Sequence, residues 1–286
     1  MTPKPTRALP PLGEVIRQYR LSARKSLGQH FLLDANLNGR IARAAGTLSN
    51  AEIIEIGPGP GGLTRALLAA DAKHVTAIER DARALDALRQ LEAAFPGRLT
   101  IIEGDALELD VVALTSAPRK LVANLPYNIA TPLLLRWLER IGEFESLTLM
   151  FQKEVALRLV AKPRSKAYGR LAVMTQWNAE PELLFDIDPR AFVPPPKVTS
   201  TLVAIRPRTE PLAPCRRQDL ERVVAAAFGQ RRKMLRASLK SLGADAEALL
   251  TAATVAPTAR AEDLSVAEFA ALARAFVEAT GRHASG

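Results

Sequence analysis

Cysteine is almost absent from this chain. Cys215 stands alone, which excludes a disulfide framework or a zinc cluster and favours a reducing compartment. Histidine is scarce too: His30, His74 and His283 are scattered, so no metal centre is expected. No apolar run approaches the ~20 residues that span a bilayer, so no membrane partner is expected. The N-terminus is rich in proline and arginine and lacks an apolar signal core, which argues for a cytoplasmic protein. What is present is an ordinary globular composition, 286 residues with 48% hydrophobic and 24% charged. That is enough chain for one large domain or two smaller ones, each able to bury a core.

The net charge of +9 is unevenly placed. Residues 1–30 hold six bases (Lys4, Arg7, Arg17, Arg20, Arg24, Lys25) against Glu14 alone. Residues 216–240 hold eight bases, among them Arg231, Arg232, Lys233 and Arg236, against Asp219 and Glu221. The remainder is slightly acidic. Two basic zones on a nearly neutral body suggest a polyanionic partner, most simply nucleic acid.

From residue 52 short apolar runs alternate with longer amphipathic ones, the pattern of an α/β fold with a parallel sheet. Strands are expected at Glu52–Gly57, His74–Glu79, Leu99–Gly104, Lys120–Asn124 and Ser146–Gln152, with helices at Gly61–Ala70, Ala82–Phe95 and Ala130–Ile141. Two further extended segments, Glu182–Ile187 and Thr199–Arg206, read as an antiparallel or hairpin-like edge. After Pro207, Pro211 and Pro214 only helical periodicity remains, as at Leu220, Val223, Val224, Ala227 and Phe228. The expected organisation is a flexible basic extension over residues 1–23, an α/β domain over 24–207 and a small helical domain over 208–286.

The first strand runs into Glu55-Ile56-Gly57-Pro58-Gly59-Pro60-Gly61-Gly62 and then a helix. Glycines permit a sharp turn and close approach of a ligand to the backbone. The next strand ends at Glu79, whose carboxylate can accept the hydroxyls of a ribose, and the third at Gly104-Asp105. All three places lie at the carboxyl edge of the sheet, where ligands of open α/β folds collect. Gly57, Gly59 and Gly62 also satisfy G-x-G-x-x-G, so a nicotinamide dinucleotide competes. Pro58 and Pro60 remove amides that a pyrophosphate would want, and Asp105 can take an exocyclic adenine amine; both lean towards S-adenosylmethionine.

The strand after that ends in Asn124-Leu125-Pro126-Tyr127. An adenine amine is a poor nucleophile because its lone pair is delocalised into the ring. Two acceptors on its N–H bonds, the Asn124 side-chain oxygen and the Leu125 carbonyl, would favour a pyramidal nitrogen. Pro126 fixes that backbone, and Tyr127 offers a face for a base, worth ~1–3 kcal/mol. A methyl on a sulfonium is already activated, so alignment and electrostatics suffice without a strong base. The motif does not distinguish ribose from deoxyribose.

In combination these motifs make the chain similar to the bacterial small-subunit ribosomal RNA adenine dimethyltransferase family, from about Arg24 to Ala273. Arg24-Lys25-Ser26-Leu27-Gly28-Gln29-His30-Phe31-Leu32 resembles the family's N-terminal motif, which implies that His30 and Leu32 line the cofactor pocket. The resemblance assigns Gly57 to the methionine side of the cofactor, Glu79 to its ribose, Asp105 to its adenine and Asn124 to Tyr127 to catalysis. Phe192-Val193-Pro194-Pro195-Pro196-Lys197-Val198 matches a further signature, implying that Phe192 closes on the target adenine opposite Tyr127. Phe228 to Arg236 resembles a basic helical element of the family, implying RNA contacts from Arg231, Arg232, Lys233 and Arg236; Ala237 departs from the asparagine common there. Trp177 stands where a tyrosine is usual and reads as core. The resemblance implies a Rossmann-like, seven-stranded class I methyltransferase fold. It also implies N6-dimethylation of two adjacent adenosines in a hairpin loop near the 3′ end of 16S rRNA, within the 30S subunit or its precursor. S-adenosyl-L-methionine would be the methyl donor, with no metal, and a monomer is expected.

Overall fold

The computed structural model describes residues 8–21, 23 and 28–281. Lys4, Arg7, Arg24 to Leu27 and His283 lie outside the described residues. Among the described residues nine strands form: β1 Phe31–Leu32, β2 Glu52–Ile56, β3 His74–Glu79, β4 Leu99–Glu103, β5 Arg119–Ala123, β6 Ser146–Gln152, β7 Ala179–Ile187, β8 Phe192–Val193 and β9 Ser200–Pro207. Seven of them make one sheet in the order β4-β3-β2-β5-β6-β9-β7, while β1 and β8 form a separate two-stranded ribbon. The first five strands of that order run parallel, and β9 lies antiparallel to β6. The expected antiparallel edge is therefore present, with β7 outermost. Strands β2 and β5 are buried on both faces, as the apolar run Ile53, Ile54, Ile56 and the Leu121-Val122-Ala123 segment require of a parallel sheet covered by helices.

Strand order reverses between β2 and β5. Crossovers from β2 run to one side and those after β5 to the other, opening a crevice at the carboxyl ends. The glycine turn, Glu79, Asp105 and Asn124 follow β2, β3, β4 and β5, four neighbouring strands. Sequence positions spread over 70 residues are thus gathered along one edge by parallel pairing, in register from Ile56↔Ile78 to Glu79↔Glu103.

Contacts divide the chain into two compact units. The first comprises residues to Ala156 with Glu182–Pro207, and the second Leu157–Pro181 with the residues from Arg208. The boundary at Pro207 coincides with the sequence expectation, but Leu157–Pro181 belongs with the helical unit and not with the α/β unit. Tyr168 shows why. It is fully buried, donates its hydroxyl to the Leu264 carbonyl at 2.8 Å and packs edge-on against Phe228, which stacks on Phe269. The helix Arg170–Asn178 therefore serves the helical core, to which Leu220, Val223, Val224 and Ala227 contribute as their periodicity predicts. Trp177 is buried as expected, donating Nε1 to the Ala213 carbonyl at 2.8 Å.

Two further differences concern element ends. The stretch expected to be a flexible extension contains a helix, Leu12–Gln18, whose Val15 packs with Leu21 against Ala84, Ala87 and Leu88. Apolar residues at one-turn spacing, Leu12, Val15, Ile16 and Tyr19, supply a face that burial rewards. The helix after β5 begins at Tyr127, not Ala130, and continues through Pro132.

Candidate active site

A cavity opens at the carboxyl edge of the α/β unit, lined by His30 and Leu32, the turn from Glu55 to Gly59, Glu79, Asp105, and Asn124 to Tyr127. Every cofactor residue expected from the sequence is brought together here. The turn is a tight left-handed path. Gly57 and Gly59 have φ of +67° and +54°, and a Cβ on Gly59 would meet the Phe31 ring at 3.0 Å.

The turn's own hydrogen bonding bears on the two cofactor classes. The Gly57 amide donates to Ile78 O at 2.9 Å, Gly59 to the Glu79 carboxylate at 2.9 Å, and Gly61 to Pro58 O at 3.0 Å. Pro58 and Pro60 have no amide to give. No N–H from residue 57 to residue 61 is left for a pyrophosphate, which leaves only the first-turn amides of the helix Gly62–Ala69 for one.

Glu79 is the hub of this arrangement. Oε1 accepts from the amides of Arg80 (2.9 Å) and Asp81 (2.7 Å), and Oε2 from Gly59. Burial pushes its pKa up, and those three amides pull against the shift. A carboxylate offers about four acceptor positions; three are taken, leaving Oε2 with room for about one ligand hydroxyl. Asp105 is likewise engaged, with Oδ1 accepting the Leu107 amide at 2.9 Å and Oδ2 paired with the exposed Arg80 guanidinium at 2.7 Å.

Glu55 differs from both. It is 1% exposed, and its Oε2 has no partner within the protein. Burial pushes its pKa up to about 8, with the nearby Glu79 charge adding to the shift and Thr64 opposing it. Asn38, on the helix Ala35–Ala44, also lines the cavity; its Nδ2 donates to Leu32 O while its buried Oδ1 lacks a partner. Buried acceptors without donors are rare and costly. Their place here fits a ligand that brings positive charge and N–H groups.

At the Asn124 end the geometry is explicit. Nδ2 donates to the His30 carbonyl at 3.1 Å. A carbonyl can only accept, so the amide's orientation is fixed and Oδ1 is its acceptor side. Leu125 is buried at 1% exposure, and Tyr127 is half-buried with its hydroxyl 2.5 Å from Ser200 Oγ. The His30 ring sits 5.5 Å from the Tyr127 ring, tilted by 32°, and its Nδ1 donates to Pro194 O at 2.8 Å.

Phe192 departs from its expected place. It is 1% exposed, packed in the core with Leu32, Val122 and Met150, and does not line the cavity. Pairing of Leu32 with Phe192 in the β1–β8 ribbon turns the ring inward, and His30 meets it edge-on at 6.4 Å. The residue beside Tyr127 is His30.

The basic segment of the helical unit is also rearranged. The helix Arg217–Gly229 ends before it, and Arg231 to Lys233 occupy the turn leading to the short helix Leu235–Ser238. Arg231 donates to Glu262 at 3.0 Å and to Lys166 O at 2.9 Å, so its guanidinium holds the turn together. Arg232, Lys233 and Arg236 are exposed. Sequence reasoning missed Asn38, Arg80, Gln29 and Ser200. Asn38 carried a signal, a polar residue on the buried face with Ile41 and Ala42; Gln29, whose Nε2 donates to Asp81 at 3.1 Å, carried none.

The model of the ribosomal RNA adenine dimethylase family matches residues 20–278. A protein of Rhodospirillum rubrum described as ribosomal RNA small subunit methyltransferase A is 63% identical over 277 residues, covering 97% of this chain and 96% of its own. One of the same description from Azorhizobium caulinodans is 61% identical over 277 residues, covering 96% and 95%. Among solved structures, the 23S rRNA methyltransferase ErmE has a TM-score of 0.64 at 30% identity, covering 86% of this chain and 99% of that one. A dimethyladenosine transferase from Plasmodium falciparum, at 24% identity, shares the fold with a TM-score of 0.74 over 88% of this chain and 98% of that one.

Proposed function

The chain belongs to the ribosomal RNA adenine dimethylase family and is an rRNA-modifying methyltransferase, and we propose that it dimethylates N6 of two adjacent adenosines in a hairpin loop near the 3′ end of 16S rRNA, in the 30S subunit or its precursor. S-adenosyl-L-methionine is the donor that the site fits: Glu55 and Asn38 would hold its amino-acid end beside Gly57, Glu79 its ribose and Asp105 its adenine. When bound, it supplies a methyl group on a positively charged sulfur.

The chain's own residues supply alignment. Asn124 Oδ1 and the Leu125 carbonyl accept the two N–H bonds of the target amine, turning its lone pair outward, and Tyr127 carries the base on its face. No histidine or carboxylate need act as a strong base, because preorganised acceptors stabilise charge developing on the amine. A hairpin loop presents unstacked bases, which lowers the few-kcal/mol cost of extruding one. Arg232, Lys233 and Arg236 contact phosphates and so position the loop without reading its sequence. The enzyme acts in the cytoplasm as a monomer during subunit maturation.

The observation that carries this reading is the fixed amide of Asn124, a residue that lines the cavity together with the glycine turn. Replacing Asn124 by alanine separates catalysis from binding. Labelled-methyl transfer onto unmethylated 30S subunits, with the modified nucleotides mapped, should collapse while subunit binding persists. Transfer that survives nearly intact removes Asn124 from the acceptor role.

A further inference from the structure

Ser200 is fully buried at the start of β9, paired with Gln152 at the carboxyl end of β6. Tyr127 opens the helix Tyr127–Glu139, and its hydroxyl lies 2.5 Å from Ser200 Oγ, across 73 residues of sequence. Proline before it fixes the path of the main chain but not the χ1 and χ2 of the ring. Two contacts bear on the ring's orientation, the hydroxyl at its far end and the tilted His30 ring 5.5 Å away. Burial pushes the phenol's pKa up, with Ser200 pulling it back, so the phenol stays protonated and can donate. The strand that carries Ser200 is itself anchored next door, where Thr201 donates to Asp186 at 2.7 Å and Asp186 pairs with Lys153 at 2.6 Å.

We propose that Ser200 is a positioning residue for methyl transfer: its hydroxyl tethers Tyr127 and sets the tilt of the face on which the target adenine stacks. The proposal rests on Tyr127 being that stacking platform. Ser200 is buried and does not line the cavity, so its effect on the site passes through the Tyr127 hydroxyl. Without the tether the phenol keeps its ring but loses its fixed angle, and a base on a pivoting face spends less time aligned with the donor. Such misplacement costs about tenfold or more in rate without altering cofactor binding.

A double-mutant cycle tests this on the full-length enzyme. Ser200→Ala and Tyr127→Phe should each lower kcat on 30S subunits about tenfold, leave the Kd for S-adenosylmethionine unchanged, and in combination be no worse than Tyr127→Phe alone. Ser200→Thr, which keeps the hydroxyl, should recover activity. Multiplying losses in the double variant would overturn the tether. The chain has three tyrosines, so 3-fluorotyrosine labelling gives a direct reading, independent of turnover and of how well threonine fits. Ser200→Ala should shift the resonance that Tyr127→Phe removes and leave the other two in place. An unmoved resonance overturns the proposal. Tyr127→Ala distinguishes failure of the underlying reading: if deleting the ring leaves transfer intact, Tyr127 is not the platform, whatever Ser200 does.

Discussion

Asn124 and His30, 94 residues apart, are joined by a side-chain amide donating to a main-chain carbonyl at 3.1 Å. This contact makes one end of Asn124 a donor to the protein and makes Oδ1 its acceptor end, the one the proposed mechanism gives to the substrate. A residue able only to accept could not stand in. Asn124→Asp, nearly identical in size, sets a carboxylate against the His30 carbonyl with no proton between them. Methyl transfer should fall on the order of 10²-fold or more, with RNA affinity little changed. Single-turnover rates check this, and a rate within threefold of wild type would refute the orientation argument.

Glu55 makes stability depend on pH in a direction unusual for an acid. Its pKa in the folded state is about 8, above the ordinary value of 4.5. Between those values the folded protein holds a proton that the unfolded chain releases. Stability should therefore be greatest at the acid end of this window and decline as pH rises through about 8, by at most about 1.4 kcal/mol per pH unit for one proton. Glu79, also shifted up by burial, acts in the same sense. Urea unfolding of the cofactor-free protein from pH 5 to 9 should show a shallower decline for Glu55→Gln. Parallel profiles would show that Glu55 titrates normally.

Asp105 is shared between Arg80 and the proposed adenine contact. Asp105→Asn keeps an oxygen for the Leu107 amide but gives up the charge that holds Arg80. The Kd for S-adenosylmethionine, measured by calorimetry, should weaken on the order of tenfold or more, near the low end for loss of a hydrogen bond to a charged group. An unchanged Kd would move the adenine elsewhere along the edge.

Arg231 and its neighbours should separate by phenotype. Arg231 is tied to Glu262 and Lys166, so Arg231→Ala should lower Tm by about 2–4 °C, the shift expected of roughly 1 kcal/mol. Arg232→Ala and Lys233→Ala should leave Tm in place, weaken RNA binding, and flatten its salt dependence by a slope of about 0.7 each. The reverse assignment would mean that the ion pair opens when RNA binds.

The features legible from sequence were local ones. Alternating apolar and amphipathic runs expose an α/β sheet because side-chain periodicity is a property of a few consecutive residues. The turn at Gly57 and the acids at Glu79 and Asp105 could be placed because strand ends of a parallel sheet share one edge. Helix starts were less legible: the expected Ala130–Ile141 missed the first turn of Tyr127–Glu139, and Leu12–Gln18 lay within a basic, proline-rich stretch.

By itself, then, the sequence determined the fold class, the strand-end positions of the proposed cofactor residues and the Asn124–Tyr127 motif. Tertiary structure alone decided which side chains meet across long loops. Pairing of residues 31–32 with 192–193 buried Phe192 and put His30 beside Tyr127. Antiparallel insertion of β9 brought Ser200 to the Tyr127 hydroxyl, and the helical core drew in Leu157–Pro181. The physical reason is range. Periodicity and turn chemistry act over a few residues, whereas these contacts repay the closure of loops tens to more than a hundred residues long only through the packing of the whole core.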